Sequence, residues 1–170
     1  MKVRYNPGMP VTISNSHLRS ALQELALAAN SSEELMARIT EALHQRMSNY
    51  NWVGFYMLQP QPDGQPMLAL GPFQGATTPH TSIPLNQGIC GAAASTGDTI
   101  IVDDVNKDPR YLACSRETKS EIVAPVYANG NVIGELDIDS HVPAAFAEDD
   151  RELVEYCARL VGEYIEKHGA

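Results

Sequence analysis

A chain of 170 residues is long enough to bury one continuous core without disulfides or a structural metal, and a second domain is not expected. Twelve Lys and Arg stand against 21 Asp and Glu, a formal net charge of -9 with no basic run, which excludes sequence-independent nucleic-acid binding because that needs cations to displace phosphate counterions. No stretch has the apolar core of a signal peptide or the roughly 18 apolar residues of a membrane span, so the chain reads as a soluble, cytoplasmic protein.

The elements follow in order along a single domain over 1–170, after a flexible start over 1–13. N-terminal helices occupy 14–48: Leu18, Leu22, Leu25 and Ala29 mark the first at helical spacing, and Leu35, Ile39, Leu43 and Met47 the second. Ser31 with Glu34 three residues on predicts a capping box at the second helix. The pattern then turns extended, and the sheet with its active-site loops is expected over 50–140. NWVGFYML at 51–58 and MLALGPF at 67–73 flank a turn rich in Pro and Gln, which predicts an antiparallel hairpin. QGICGAAAST predicts a short helix, and 99–102 a short strand. EIVAPVY and NVIGELDID form a second hairpin around Asn129 and Gly130, residues that tolerate positive φ. A C-terminal helix over 148–168 carries Leu153, Cys157, Leu160 and Tyr164 on one face. Helices at both ends around antiparallel strands give an α+β domain, a central sheet flanked by helices. The irregular segment between 102 and Glu121 is longer than ordinary connections, a length typical of functional loops.

Three cysteines at wide spacings fit neither a secreted disulfide framework nor a CxxC zinc site, so no metal is expected. Cys157 lies on an apolar stripe and reads as a buried small residue. Cys90, in GICG, sits where a helix start favours a thiolate, and equally suits packing among alanines. Cys114 lies in a polar loop beside Ser115, Arg116 and Lys119, cations that lower a thiol's pKa. Asp137 and Asp139 in LDIDS face the same way by strand alternation, and a neighbouring strand starting at Glu121 adds a third carboxylate. Converging carboxylates cannot all ionise, so one carries a raised pKa, and a ligand's ammonium group would relieve the conflict. Trp52 and Tyr56, four residues apart in one strand, face together; they read either as core or as an aromatic wall suited to a sulfoxide or onium group.

NWVGFYML, LGPFQG, GICGAAAS, DDVNKDPRYLAC, ETKSEIVAPV and VIGELDIDS, in this order, resemble the free methionine-(R)-sulfoxide reductases, a single-domain branch of the GAF family. The resemblance implies a GAF-like central antiparallel sheet with an enclosed ligand, and a homodimer built largely from the terminal helices. It further implies reduction of free L-methionine-(R)-sulfoxide under oxidative stress with no bound cofactor. Cys114 matches the nucleophile and Cys90 the resolving thiol; Glu121 or Asp137 is the candidate proton donor, and Trp52, Tyr56, Glu121, Asp137 and Asp139 match substrate-pocket positions. The expected cycle runs through a Cys114 sulfenic acid and an intramolecular disulfide, recycled by thioredoxin as external reductant. The chain departs from the pattern at His80, where many members have a third cysteine, and at Arg110, Tyr111 and Ser115 around the nucleophile. Two other functions compete: a non-catalytic GAF sensor of a small molecule, and a thiol redox switch.

Overall fold

The computed structural model describes residues 15–113 and 115–170. The expected flexible start over 1–13 and the candidate nucleophile Cys114 lie outside the described residues. α1 (Asn15–Ala28) and α2 (Ser32–Arg46) form where the two apolar stripes run. Leu18, Leu22, Leu35, Ile39 and Leu43 are buried, each such side chain stabilising the fold by about 1.5–3 kcal/mol. The Ser31 hydroxyl caps α2, accepting from the Glu34 N–H at 3.1 Å. The reciprocal half of the expected capping box is redirected one residue back, since Glu34 Oε2 accepts from the Asn30 N–H at 2.8 Å and from its side-chain amide at 2.9 Å.

β1 (Trp52–Gln59) and β2 (Met67–Gln74) make the first hairpin, with a register shift between Gly54 and Tyr56. β3 (Ser82–Pro84), α3 (Gly88–Thr96), β4 (Ile100–Val102) and a 3₁₀ turn at Val105–Lys107 follow. β5 (Ser120–Ala128), β6 (Asn131–Ser140) and α4 (Glu148–His168) complete the chain. β3 has no sequence signal, because Ile83 is the lone apolar residue in TPHTSIP; it exists through pairing with β2, Ile83 opposite Leu68. All pairings are antiparallel, and the strands lie in the order β3-β2-β1-β6-β5-β4.

The sheet has two unlike faces. Val53 and Phe55 of β1, Ile122, Ala124 and Val126 of β5, and Leu136 and Ile138 of β6 are fully buried in one core with the apolar stripes of α1, α2 and α4. Cys157 lies in this core, and burial pushes its thiol up to about 12, so it stays protonated and inert. The start of α4 is tied to the sheet by Asp150, whose carboxylate accepts from the Ala147 N–H at 2.9 Å and from the Tyr50 hydroxyl at 2.7 Å. Among the described residues no helix is long and apolar enough to cross a membrane. The opposite face of the sheet is covered by α3, and there the acids gather.

Candidate functional site

Antiparallel partners share a face, so register alone assembles the site. Trp52, Gly54 and Tyr56 of β1 lie opposite Asp139, Asp137 and Glu135 of β6, and Glu121, Val123 and Pro125 of β5 lie opposite the same three acids from the other side. The strand alternation that pairs Asp137 with Asp139 therefore also includes Glu135, a residue the sequence reading passed over although E-L-D-I-D displays it. Relative exposures are 5 % for Glu121, 0 % for Glu135, 3 % for Asp137 and 4 % for Asp139, so none of the four can be solvated as an ordinary surface carboxylate.

Gly54 makes room for the aromatic wall. A Cβ there would come within 2.2 Å of the Trp52 ring, which crosses over the glycine. Trp52 stacks on Phe73 with centroids 5.6 Å apart, and its Nε1–H donates to the Ala76 carbonyl at 3.0 Å. Tyr56, 6.1 Å from Trp52 between ring centroids, donates its hydroxyl proton to the His80 carbonyl at 2.7 Å. Both rings are buried and fixed in orientation by these bonds.

α3 lays Cys90 onto the acids. Its thiol donates to Asp137 Oδ2 at 3.4 Å, and Cys90 Sγ with one oxygen each of Glu121 and Asp137 lie within 4.8 Å of one another. The helix start would favour a thiolate, but burial among the acids outweighs it. Burial first, then the negative fields of Asp137, Glu135 and Glu121, push the Cys90 thiol well above its ordinary value, so it rests as neutral S–H. Cys90 packs in the same buried cluster as Ala93 and Ala94.

The acids push one another up as well. Burial raises Asp137 to about 7, against which the Cys90 hydrogen bond works weakly. Burial, with Asp137 and Asp139 as charged neighbours, raises Glu121 well above the usual carboxylate range, and burial also raises Glu135 and Asp139. Both Glu135 oxygens, Asp137 Oδ1 and Asp139 Oδ1 are buried with no hydrogen-bond partner among the described residues. An ionised carboxylate so placed costs several kcal/mol unless a cation meets it. The cluster can thus hold protons or receive a positive group.

The long loop arches over this face. Val105 N–H donates to the Lys119 carbonyl at 2.9 Å and Lys119 N–H to the Ser140 carbonyl at 2.8 Å, pinning its two ends. Arg110 is forked onto Asp108 at 2.9 and 2.6 Å. His80 Nε2 lies 3.2 Å from the Ala113 carbonyl, and the Tyr111 hydroxyl donates to the Ser115 carbonyl at 3.2 Å. These bonds hold the residues on either side of Cys114. His80 is half-buried and joins two loops. A cavity of about 70 Å³ bordered by Trp52, Ser115, Thr118, Asp139 and His141 marks the mouth of the site. A larger one of about 1070 Å³ borders the outward face of α3 at Gly88, Ala92 and Ser95 and reaches none of the four acids.

A family model described as GAF domain matches residues 31–165. The chain belongs to the GAF domain family. This GAF domain is 46% identical over 112 residues to the free methionine-R-sulfoxide reductase of Saccharomyces cerevisiae, covering 65% of this chain and 61% of that one. It is 38% identical over 145 residues to GAF domain-containing protein A of Dictyostelium discoideum, covering 85% and 88% of the two chains. Among solved structures, the free methionine-R-sulfoxide reductase of Neisseria meningitidis in complex with its substrate superposes with a TM-score of 0.85 at 27% identity, covering 100% of both chains. The GAF domain's sheet and its four helices are thus those of the family.

Proposed function

We infer that this GAF domain is an oxidoreductase that reduces free L-methionine-(R)-sulfoxide to L-methionine. One observation carries the reading: a buried cluster of Glu121, Asp137 and Asp139, in which Asp137 Oδ1 and Asp139 Oδ1 lack hydrogen-bond partners among the described residues, shares a face with the Trp52 ring and the Cys90 thiol. That combination suits a small zwitterion with a polar sulfur, because the carboxylates receive its ammonium group and the indole receives its thioether end. The names of the yeast and Neisseria relatives support the same substrate.

In the proposed cycle the Cys114 thiolate attacks the sulfoxide sulfur while a neutral acid, Glu121 or Asp137, protonates the oxygen. Attack joins the Cys114 and substrate sulfurs; the substrate S–O bond breaks as its protonated oxygen leaves, that oxygen bonds to the Cys114 sulfur, and the S–S bond breaks with its electron pair staying on the departing methionine, so Cys114 is left as a sulfenic acid. Cys90 then attacks the Cys114 sulfur, its thiol proton passing to Asp137; an S–S bond forms and the oxygen departs as water. Thioredoxin supplies the two electrons that reopen the disulfide. The raised acids fit this division, since the first step needs a proton donor and the second a base beside a buried thiol. With His80 in place of a third cysteine, the Cys90 and Cys114 pair carries the cycle. A cytoplasmic homodimer joined through the terminal helices belongs to the same reading, and the exposed Leu27 of α1 is consistent with it.

Single-turnover mass spectrometry tests the chemistry. Fully reduced protein mixed with the R epimer should release one equivalent of methionine and gain a disulfide joining Cys90 to Cys114. Cys114→Ser should release none, and Cys90→Ser should release methionine and accumulate a sulfenic acid trappable by dimedone. Methionine release by Cys114→Ser would refute the assignment of the nucleophile. Cys157→Ser should behave as the wild type.

A further inference from the structure

We propose that Cys90 Sγ, Glu121 and Asp137 form a binding site for a borderline-soft divalent ion, Zn²⁺ being the ion their chemistry fits. The three donor atoms come from three elements, α3, β5 and β6, and lie within 4.8 Å of one another in a fully buried setting. Zn²⁺ takes sulfur at about 2.3 Å and carboxylate oxygen at about 2.0 Å, so two such donors on a tetrahedral ion stand about 3.5 Å apart. Cys90 Sγ and Asp137 Oδ2 are already at 3.4 Å, and Glu121 has to close by no more than about 1.5 Å to reach the same spacing.

An independent observation points to a missing positive partner. Asp137 Oδ1, Asp139 Oδ1 and both Glu135 oxygens are buried without a hydrogen-bond partner among the described residues, on the sheet face that carries Glu121 and Asp137. A hard ion such as Mg²⁺ or Ca²⁺ prefers six or more oxygens and gains nothing from sulfur, whereas Zn²⁺ binds mixed sulfur and oxygen sets. Binding displaces the Cys90 proton and turns the neutral thiol into a thiolate ligand. The site stands independently of the reductase reading. If that reading holds, Zn²⁺ and the sulfoxide compete, because the ion takes the carboxylates that receive the ammonium group and ties up the resolving thiol.

Cobalt substitution tests the site without any turnover assay. Chelator-treated protein, kept reduced by a phosphine, is titrated with Co²⁺ and then with Zn²⁺. The expected result is one equivalent of Co²⁺ with a sulfur-to-cobalt charge-transfer band in the near ultraviolet and strong tetrahedral visible bands, all erased by one equivalent of Zn²⁺. Cys90→Ser should lose the charge-transfer band. The near-isosteric Asp137→Asn and Glu121→Gln should each weaken Zn²⁺ by more than the about 10-fold to 100-fold that loss of a merely orienting partner costs, and Cys157→Ser should bind as the wild type. No cobalt spectrum, a band retained in Cys90→Ser, or wild-type affinity in Asp137→Asn and Glu121→Gln would overturn the site. Sulfoxide turnover of the wild-type protein is measured separately in chelator, where no ion is bound, so the two readings fail separately.

Discussion

Asp137 shows how much of the site's behaviour resides in single side chains. It accepts from Cys90, lies between Gly54 and Val123, and is raised by burial to about 7 from an ordinary 3.8. Between those values the folded chain holds a proton that the unfolded chain has released, so this stability is complete below about pH 4 and is lost as pH rises towards 7. The slope is bounded by about 1.4 kcal/mol per pH unit for one proton. Urea unfolding at pH 5 and pH 7.5 should therefore show a larger loss in the wild type than in Asp137→Asn; equal losses would contradict the buried, raised acid. Gly54→Ala offers a second check, because its Cβ would displace the Trp52 ring. The aromatic wall of the proposed substrate site would shift, and kcat/KM should fall about 10-fold to 100-fold. Asp137, Asp139 and Glu121 were legible in the sequence because alternation and chain order suffice to align them. The elevated thiol of Cys90 was not, since it depends on what α3 faces across space. Glu135 carried a visible signal, but a strand acid one step deeper reads as solvated until its neighbours are known.

Helices and strands with long periodic patterns were read correctly from sequence, as were the short α3 and β4, whereas β3 was not. The stripes of α1, α2 and α4 and the hairpin of β5 and β6 announce themselves through repeated apolar positions and the Asn129–Gly130 turn, both residues having positive φ. β3 is three residues long and exists through its partner, so local sequence cannot reveal it. Packing between α4 and the β5–β6 end depends on a feature no periodicity displays. Gly162 sits where a Cβ would lie 1.9 Å from the Tyr127 carbonyl oxygen. Replacing a helix-interior glycine with alanine ordinarily stabilises by about 1 kcal/mol. Here Gly162→Ala should instead destabilise by about 1–3 kcal/mol as the helix is levered off the sheet, read as a lower urea midpoint. A raised midpoint would show that α4 does not approach the strand so closely.

The molecule as a whole separates two tasks onto two faces of one sheet. The face under α1, α2 and α4 is apolar and supplies most of the stability, which lets the other face carry four buried acids and a thiol. Four of the chain's acids are gathered in the interior on that face, and in the proposed function they receive a small cation-bearing ligand. The ammonium group is consequently the feature of the substrate that the proposed function depends on most. Steady-state turnover with thioredoxin, thioredoxin reductase and NADPH should be measured on free L-methionine-(R)-sulfoxide and on its N-acetyl derivative. The predicted result is turnover of the free R epimer with kcat/KM at least about 100-fold lower for the N-acetyl compound, whose amide cannot satisfy the carboxylates. Equal turnover of the two compounds, or none of the free R epimer, would contradict it.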